Sequence, residues 1–125
     1  MTVFIDSDIL IEVLRGEDQD TLALWHSLAI AETAMLFSPL SSAEIWAAAS
    51  APEHVQITKL FRPLLCVPVD SEIGKQAGEY LHKYGKSHDL RLIDALIAAS
   101  ALRHHAALWT RQRHRYPMRE LSFYR

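Results

Sequence analysis

Short apolar runs of strand length alternate with amphipathic helical segments along this 125-residue chain. The runs are residues 2–6, 34–38, 65–69 and 106–110, with a further short one at 121–124. Strands that alternate with helices in this way form a parallel sheet whose crossover helices cover both faces. We therefore predict a single domain, residues 1–125, folded as a three-layer α/β/α sandwich. Its central sheet is expected to be mainly parallel and to contain four to five strands.

The composition is that of a folded domain outside the membrane. Half of the residues are apolar and 22% are charged, which excludes a disordered chain. The longest apolar stretch, residues 92–102, is too short to cross a bilayer, and the N-terminus has no secretory signal pattern. The only cysteine, Cys66, lies in an apolar run, so we expect it in the core of a cytoplasmic protein without disulfides.

Three carboxylates stand at junctions between apolar runs: Asp6, Glu44 and Asp94. Asp94 is the most unusual, because it lies within the apolar helical segment 92–99. An ionised carboxylate in such surroundings costs several kcal/mol unless it is paired or bound to a cation. The sequence therefore predicts that Asp94 has either a basic partner or a metal ion.

The predicted topology brings these side chains to one edge of the sheet. Asp6 ends the first strand, Glu44 lies on the helix that leaves the second, and Thr110 closes the last main strand. Ligands of open parallel sheets bind outside the carboxyl ends of the strands. We expect a site there.

Oxygen donors without histidine or cysteine at ligand spacing are typical of Mg²⁺ or Mn²⁺ sites and not of zinc sites. Such a cation supports hydrolysis of phosphodiester bonds. The chain shows neither a Ser/His/Asp nor a Cys/His nucleophile pattern, and no glycine-rich phosphate loop. We expect Asp94 to share the cation with Asp6 and Glu44, in preference to a buried ion pair, because we identify no basic residue near the centre of any of the three motifs in sequence.

Each acid also has a simpler interpretation. Asp6 or Asp8 would serve as an N-cap of the first helix. Glu44 would close a capping box opened by Ser41, since Ser-x-x-Glu is the spacing of that motif. From the residues alone these interpretations remain open.

The charge is unevenly distributed. Residues 1–55 contain nine acids and one base, whereas residues 103–125 contain six arginines and one acid. A basic segment beside an acidic cluster suits a polyanionic substrate that approaches a cation site. A solvated face or an acidic protein partner would explain the same pattern.

Four segments together resemble the PIN-domain family, in particular the VapC-type toxin ribonucleases of bacterial toxin–antitoxin modules. They are FIDSDILI at residues 4–11, SPLSSAEI at 38–45, IDALIAASA at 93–101 and, more weakly, LWTRQ at 108–112. Their order and spacing, spread over nearly the whole chain, make the combination specific.

The resemblance implies a PIN-like fold and metal-dependent cleavage of single-stranded RNA. Asp6, Glu44 and Asp94 would hold Mg²⁺ or Mn²⁺, and Thr110 would match a threonine beside the catalytic site. The family also implies homodimers and inhibition by a cognate VapB-type antitoxin. We expect the basic segment, through Arg111, Arg113 and Arg115, to contact the RNA.

The fourth motif departs from the family pattern. Members often read Thr-x-Asn-x-x-Asp, whereas this chain has Gln112 and Arg115 at the Asn and Asp positions. The site therefore has one acid fewer, and we predict one metal ion. Two alternatives remain: a non-catalytic PIN-like module that binds RNA or protein, and a small phosphatase with an Asp-x-Asp loop at residues 6–8.

Overall fold

The computed structural model describes residues 1–125 and contains a four-stranded, fully parallel sheet in the order β3-β2-β1-β4. The strands are β1 (Thr2–Ile5), β2 (Ala34–Phe37), β3 (Leu65–Cys66) and β4 (Ala107–Trp109). The first strand lies inside the sheet, with Val3 opposite Met35 of β2 on one side and opposite Ala107 of β4 on the other. The predicted parallel sheet is confirmed.

Six α-helices connect the strands. They are α1 (Ser7–Arg15), α2 (Gln19–Ile30), α3 (Pro39–Ala47), α4 (His54–Phe61), α5 (Ser71–Tyr84) and α6 (Leu92–Arg103). Short 3₁₀ turns follow α3 and β4, at Ala51–Glu53 and Arg113–Arg115. None of the helices is both long and apolar enough to span a bilayer.

Side chains of β1 alternate between the two faces of the sheet, as strand geometry requires. Val3 and Ile5 belong to the core on one face, which is built with α1, α2, α3 and α4. Phe4 belongs to the core on the other face, which is built with α5 and α6. All three are fully buried. The three-layer architecture predicted from the sequence is confirmed.

The positions at which α1 and α3 begin determine where two of the candidate acids lie. Asp6 is the N-cap of α1, which ends at Gly16 in the left-handed conformation (φ 67°), where glycine is favoured. Ser38 caps α3, and Pro39 occupies its first turn. Glu44 therefore lies in the middle of α3, and the capping-box interpretation with Ser41 is wrong.

Two expectations fail at the edges of the sheet. The run at 121–124 forms only an isolated bridge, between Leu108 and Phe123, and not a fifth strand. Cys66 is exposed. It lies on the two-residue edge strand β3, where no further strand covers it, and its neighbours Leu64 and Val67 fill the core instead.

Candidate active site

A pocket of about 170 Å³ opens at the carboxyl edge of the sheet and collects acids from three separate segments. Asp6 and Asp8 come from the β1–α1 junction, Glu44 from α3 and Asp94 from the first turn of α6. The pocket is lined by these four acids together with Ser7, Ile11, Arg91, Ile93, Ile97 and Gln112. The fold thus brings the three predicted carboxylates together.

Asp6 is the most firmly held of the acids. Its Oδ1 accepts a hydrogen bond from the backbone N–H of Ser7 (2.7 Å). Its Oδ2 accepts from the hydroxyl groups of Thr110 (2.8 Å) and Tyr116 (2.9 Å). Burial raises the pKa of Asp6 above its ordinary value, while the hydrogen bonds from Thr110 and Tyr116 lower it. Asp6 therefore has a fixed orientation with its oxygens directed by three donors.

Tyr116 keeps its proton in this arrangement. Burial and, to a smaller extent, the negative charge of Asp6 raise the pKa of the Tyr116 hydroxyl. The hydroxyl therefore remains a hydrogen-bond donor at any physiological pH. Its ring is held by an edge-on contact with Phe123, at 6.4 Å between ring centroids.

Glu44 is the exposed member of the set and is positioned by serines. Its Oε1 lies 2.7 Å from Oγ of Ser7, and that Oγ lies 2.7 Å from Oγ of Ser41. Both serines are buried. The hydrogen bond between them connects α1 to α3 beneath the carboxylate. This small network aims Glu44 at the pocket.

Asp94 is buried and has basic partners, which the sequence analysis did not anticipate. Arg91 donates from its backbone N, its Nε and its Nη2 to the two Asp94 oxygens, each at 3.1 Å. Nη1 of Arg115 lies 3.6 Å from Asp94 Oδ2. The prediction that Asp94 would bind a cation in preference to an ion pair did not take Arg91 into account. Arg91 lies only three residues before Asp94 and therefore on the same side of the helix end.

Asp8 is a fourth acid of the pocket, although the sequence suggested it only as a helix cap or as part of the alternative Asp-x-Asp loop. Its Oδ2 accepts from the backbone N–H of Arg111 (3.0 Å), whereas its Oδ1 is buried without a hydrogen-bond partner. Burial and, to a smaller extent, the negative charge of Asp6 raise the pKa of Asp8 to about 6. The pocket therefore contains one buried carboxylate oxygen that no group of the protein satisfies.

The three predicted RNA-binding arginines have different surroundings. Arg111 pairs with Glu12 (3.3 Å) and with Asp18, so its guanidinium joins α1 to α2. Arg115 pairs with Asp94. Arg113 is exposed, has no carboxylate partner, and lies over the ring of Phe123 at 5.1 Å.

The donor chemistry of the pocket fits a hard divalent cation. All four acids offer oxygen, and one buried oxygen of Asp8 has no partner. No three acidic, histidine or cysteine side chains are already arranged as a coordination shell. Arg91 and Arg115 instead pair with Asp94. The residues thus fit the cation once the guanidinium groups move away from Asp94.

Four residues of this site were not predicted as site residues from the sequence: Ser7, Asp8, Arg91 and Tyr116. A signal existed for Arg91, at i−3 from an acid in the first helical turn, and for Asp8, in the Asp-x-Asp spacing. No pattern would have paired Tyr116 with Asp6, which lies 110 residues away.

Comparison with known proteins identifies the class to which this fold and pocket belong. A family model of the PIN domain matches residues 3–115. The chain is also 30% identical over 102 residues to Ribonuclease VapC10 of Mycobacterium tuberculosis, which covers 79% of this chain and 74% of that protein. The chain belongs to the PIN-domain family, and the resemblance seen in its motifs is confirmed.

Solved structures share the whole fold at low sequence identity. The VapBC2 complex of Rickettsia felis bound to a promoter DNA fragment gives a TM-score of 0.81 at 17% identity, covering 99% of this chain and 98% of that one. DNA-bound VapBC of Salmonella typhimurium gives 0.81 at 13% identity, covering 99% and 97%. FitAcB of Neisseria gonorrhoeae gives 0.78 at 17%, also covering 99% and 97%. These likenesses establish a PIN-like fold over nearly the whole chain.

Proposed function

We propose that this protein is a divalent-metal-dependent endoribonuclease, the toxin component of a type II toxin–antitoxin system, acting on RNA in the cytoplasm. The observation that carries the proposal is the convergence of Asp6, Asp8, Glu44 and Asp94 on one pocket at the carboxyl edge of the sheet. The 30% identity to a protein named as a ribonuclease supports the same reaction. The phosphatase alternative has no comparable support, because the chain belongs to the PIN-domain family.

The proposed cation is Mg²⁺ or Mn²⁺, held by Asp6, Glu44 and Asp94. When bound, it would supply Lewis-acid activation of the scissile phosphodiester and of the attacking water. Asp6 contributes a pre-oriented carboxylate, because Thr110 and Tyr116 hold its Oδ2. Glu44 is exposed and positioned by Ser7, so it is the acid that is best placed to meet solvent and substrate.

The decisive experiment follows cleavage of single-stranded RNA by purified protein with Mg²⁺, with Mn²⁺ and with EDTA. Asp6→Asn and Asp94→Asn should abolish cleavage while the circular dichroism spectrum stays native. Asp20→Asn, an exposed acid of α2, is the matched control and should cleave normally. Cleavage that persists in EDTA, or in both site variants, would contradict the proposal.

One observation favours a second candidate, a non-catalytic module that binds RNA. Both oxygens of Asp94 already accept from the guanidinium group of Arg91, and that of Arg115 lies 3.6 Å away, which is the arrangement expected of a structural ion pair. Such a module would bind the same RNA with and without divalent cations and would leave it intact. Gel analysis of the RNA recovered after binding separates the two candidates.

An apolar cleft beside the acidic pocket supports the proposed antitoxin partner. It has a volume of about 350 Å³ and shares Ile11 and Glu44 with the acidic pocket. A segment lying in the cleft would therefore reach the carboxylates. Ile45, Ala48 and Ile57 provide its apolar surface.

The antitoxin proposal predicts that the small protein encoded beside this one copurifies with it and blocks cleavage. Ala48→Asp should weaken this inhibition without loss of cleavage, because Ala48 is exposed and lies outside the acidic pocket. Ala31→Asp, an exposed position at the end of α2, serves as the control. Sedimentation of the free protein tests the proposed homodimer.

A further inference from the structure

Arg91 and Asp94 form an unequal pair. The Asp94 side chain is 4% exposed and sits in the first turn of α6, whereas the Arg91 side chain is 54% exposed. Arg115, the second partner of Asp94, is 24% exposed. The carboxylate is thus buried at a helix start, while its main partner is a long side chain with more than half of its surface in solvent.

The oxygens of Asp94 cannot serve two cations equally well. Oδ2 accepts from the backbone N and Nε of Arg91 and lies near Arg115, while Oδ1 accepts from Nη2 of Arg91. A divalent cation in the pocket would repel both guanidinium groups and compete for the same oxygens. Nη1 of Arg115 is also buried without any hydrogen bond, so its contact with Asp94 is incomplete.

We propose that Arg91 and Arg115 exchange partners during the reaction cycle. In the metal-free protein they neutralise Asp94. When a divalent cation takes Asp94, they turn to a phosphate of the RNA backbone. This inference rests on the proposed ribonuclease function and adds Arg91 to it as a substrate-positioning residue.

The geometry of the two groups suits this exchange. A guanidinium that binds a carboxylate through two parallel N–H groups presents the same fork to a phosphate. Arg91 lines the pocket itself, so its head group needs only side-chain rotation to meet a ligand there. RNA and metal would then bind cooperatively, because each relieves the other of a competing partner.

The test measures Mn²⁺ affinity by calorimetry without RNA, and then KM and kcat for cleavage of a single-stranded RNA. Arg91→Gln should bind Mn²⁺ about 10-fold more tightly, the equivalent of one competing hydrogen bond to a charged group. The same variant should raise KM for the RNA several-fold and leave kcat at saturating Mn²⁺ and RNA nearly unchanged. Arg115→Gln should shift both quantities in the same directions but by less, because its contact is longer.

Arg103→Gln is the matched control. Arg103 lies at the opposite end of α6 and pairs with Glu72 on α5, so its removal changes the net charge equally without touching the pocket. It should leave Mn²⁺ affinity and KM unchanged. If Arg91 merely orients Asp94 for the metal, Arg91→Gln will bind Mn²⁺ more weakly instead, and the exchange is overturned.

Folding is checked independently, because Arg91→Gln leaves a buried carboxylate without its main partner. Mn²⁺ should raise the melting temperature of Arg91→Gln more than that of the wild type, and Arg91→Lys should fall between them. An equal rise in both proteins would overturn the exchange.

The failure of the exchange and that of the ribonuclease proposal are distinguishable. If the wild type binds Mn²⁺ but never cleaves RNA, the ribonuclease proposal fails, and the exchange is then decided by calorimetry, melting and RNA-binding titrations with and without Mn²⁺. If neither protein binds Mn²⁺, the exchange itself is wrong.

Discussion

The hydroxyl of Tyr116 donates a 2.9 Å hydrogen bond to Oδ2 of Asp6, although 110 residues separate the two along the chain. Together with Thr110, it satisfies that oxygen from the side of the sheet. The 3₁₀ turn Arg113–Arg115 directly precedes Tyr116 and brings its ring under the carboxyl edge. The segment that departs from the family pattern at Gln112 and Arg115 thus also supplies a hydrogen-bond donor to the first acid.

Replacing Tyr116 with phenylalanine removes this donor and keeps the ring. We expect the free energy of unfolding to fall by about 1.5 to 3 kcal/mol, the net contribution of one hydrogen bond to a charged group. Cleavage of RNA should fall as well, because Asp6 loses one of its three donors. Urea unfolding and initial rates measure the two effects. Tyr84→Phe, on α5 and away from the pocket, should change neither, and equal effects in both variants would refute a specific role.

Thr110 supports Asp6 from the end of β4. Its Oγ1 donates to Asp6 and accepts from the backbone N–H of Gln112 (3.0 Å), so the hydroxyl is fixed at both ends. Thr110→Val keeps the shape and should lower activity or metal affinity by roughly 10- to 100-fold, as is usual for groups that orient a metal ligand. Thr110→Ser should restore most of it. Failure of serine to do so would assign the loss to packing.

Asp8 makes the stability of the fold depend on pH. Its pKa is about 6 in the folded protein against an ordinary 3.8, so the folded state favours the protonated form. Protonated Asp8 therefore stabilises the fold relative to the unfolded chain. This stabilisation is fully present below pH 3.8 and is lost as the pH rises through 6. In EDTA, Asp8→Asn should therefore melt at a higher temperature than the wild type at pH 7.5, with the difference shrinking towards pH 4. A difference that does not vary with pH would contradict the assignment.

Arg113 is the predicted RNA-binding arginine that no carboxylate holds. Arg113→Ala should weaken RNA binding similarly for all sequences and reduce the magnitude of its salt dependence by about one, as expected for one lost phosphate contact. Fluorescence anisotropy titrations from low to high salt measure both quantities. Arg103→Ala provides the matched charge control. An unchanged slope for Arg113→Ala would remove Arg113 from the binding surface.

The architecture was predictable from the amino-acid sequence, because the alternation of apolar strands and amphipathic helices is a property of local periodicity. The sequence also predicted site roles for Asp6, Glu44, Asp94 and Thr110, because each lies at a strand end, on a helix that leaves a strand, or within an apolar segment. The predictions of a fifth strand and of a buried Cys66 were wrong because both segments lie at sheet edges. There, strand pairing and burial depend on neighbours that local sequence patterns do not describe.

The groups that satisfy these acids become visible only in the folded protein. Asp94 meets Arg115 from another segment, Asp6 meets Tyr116, and Asp8 is left with a buried oxygen that nothing pairs. Such partnerships depend on distances between side chains that are far apart in the chain. The periodicity that specifies a helix or a strand acts over a few residues and therefore carries no information about them.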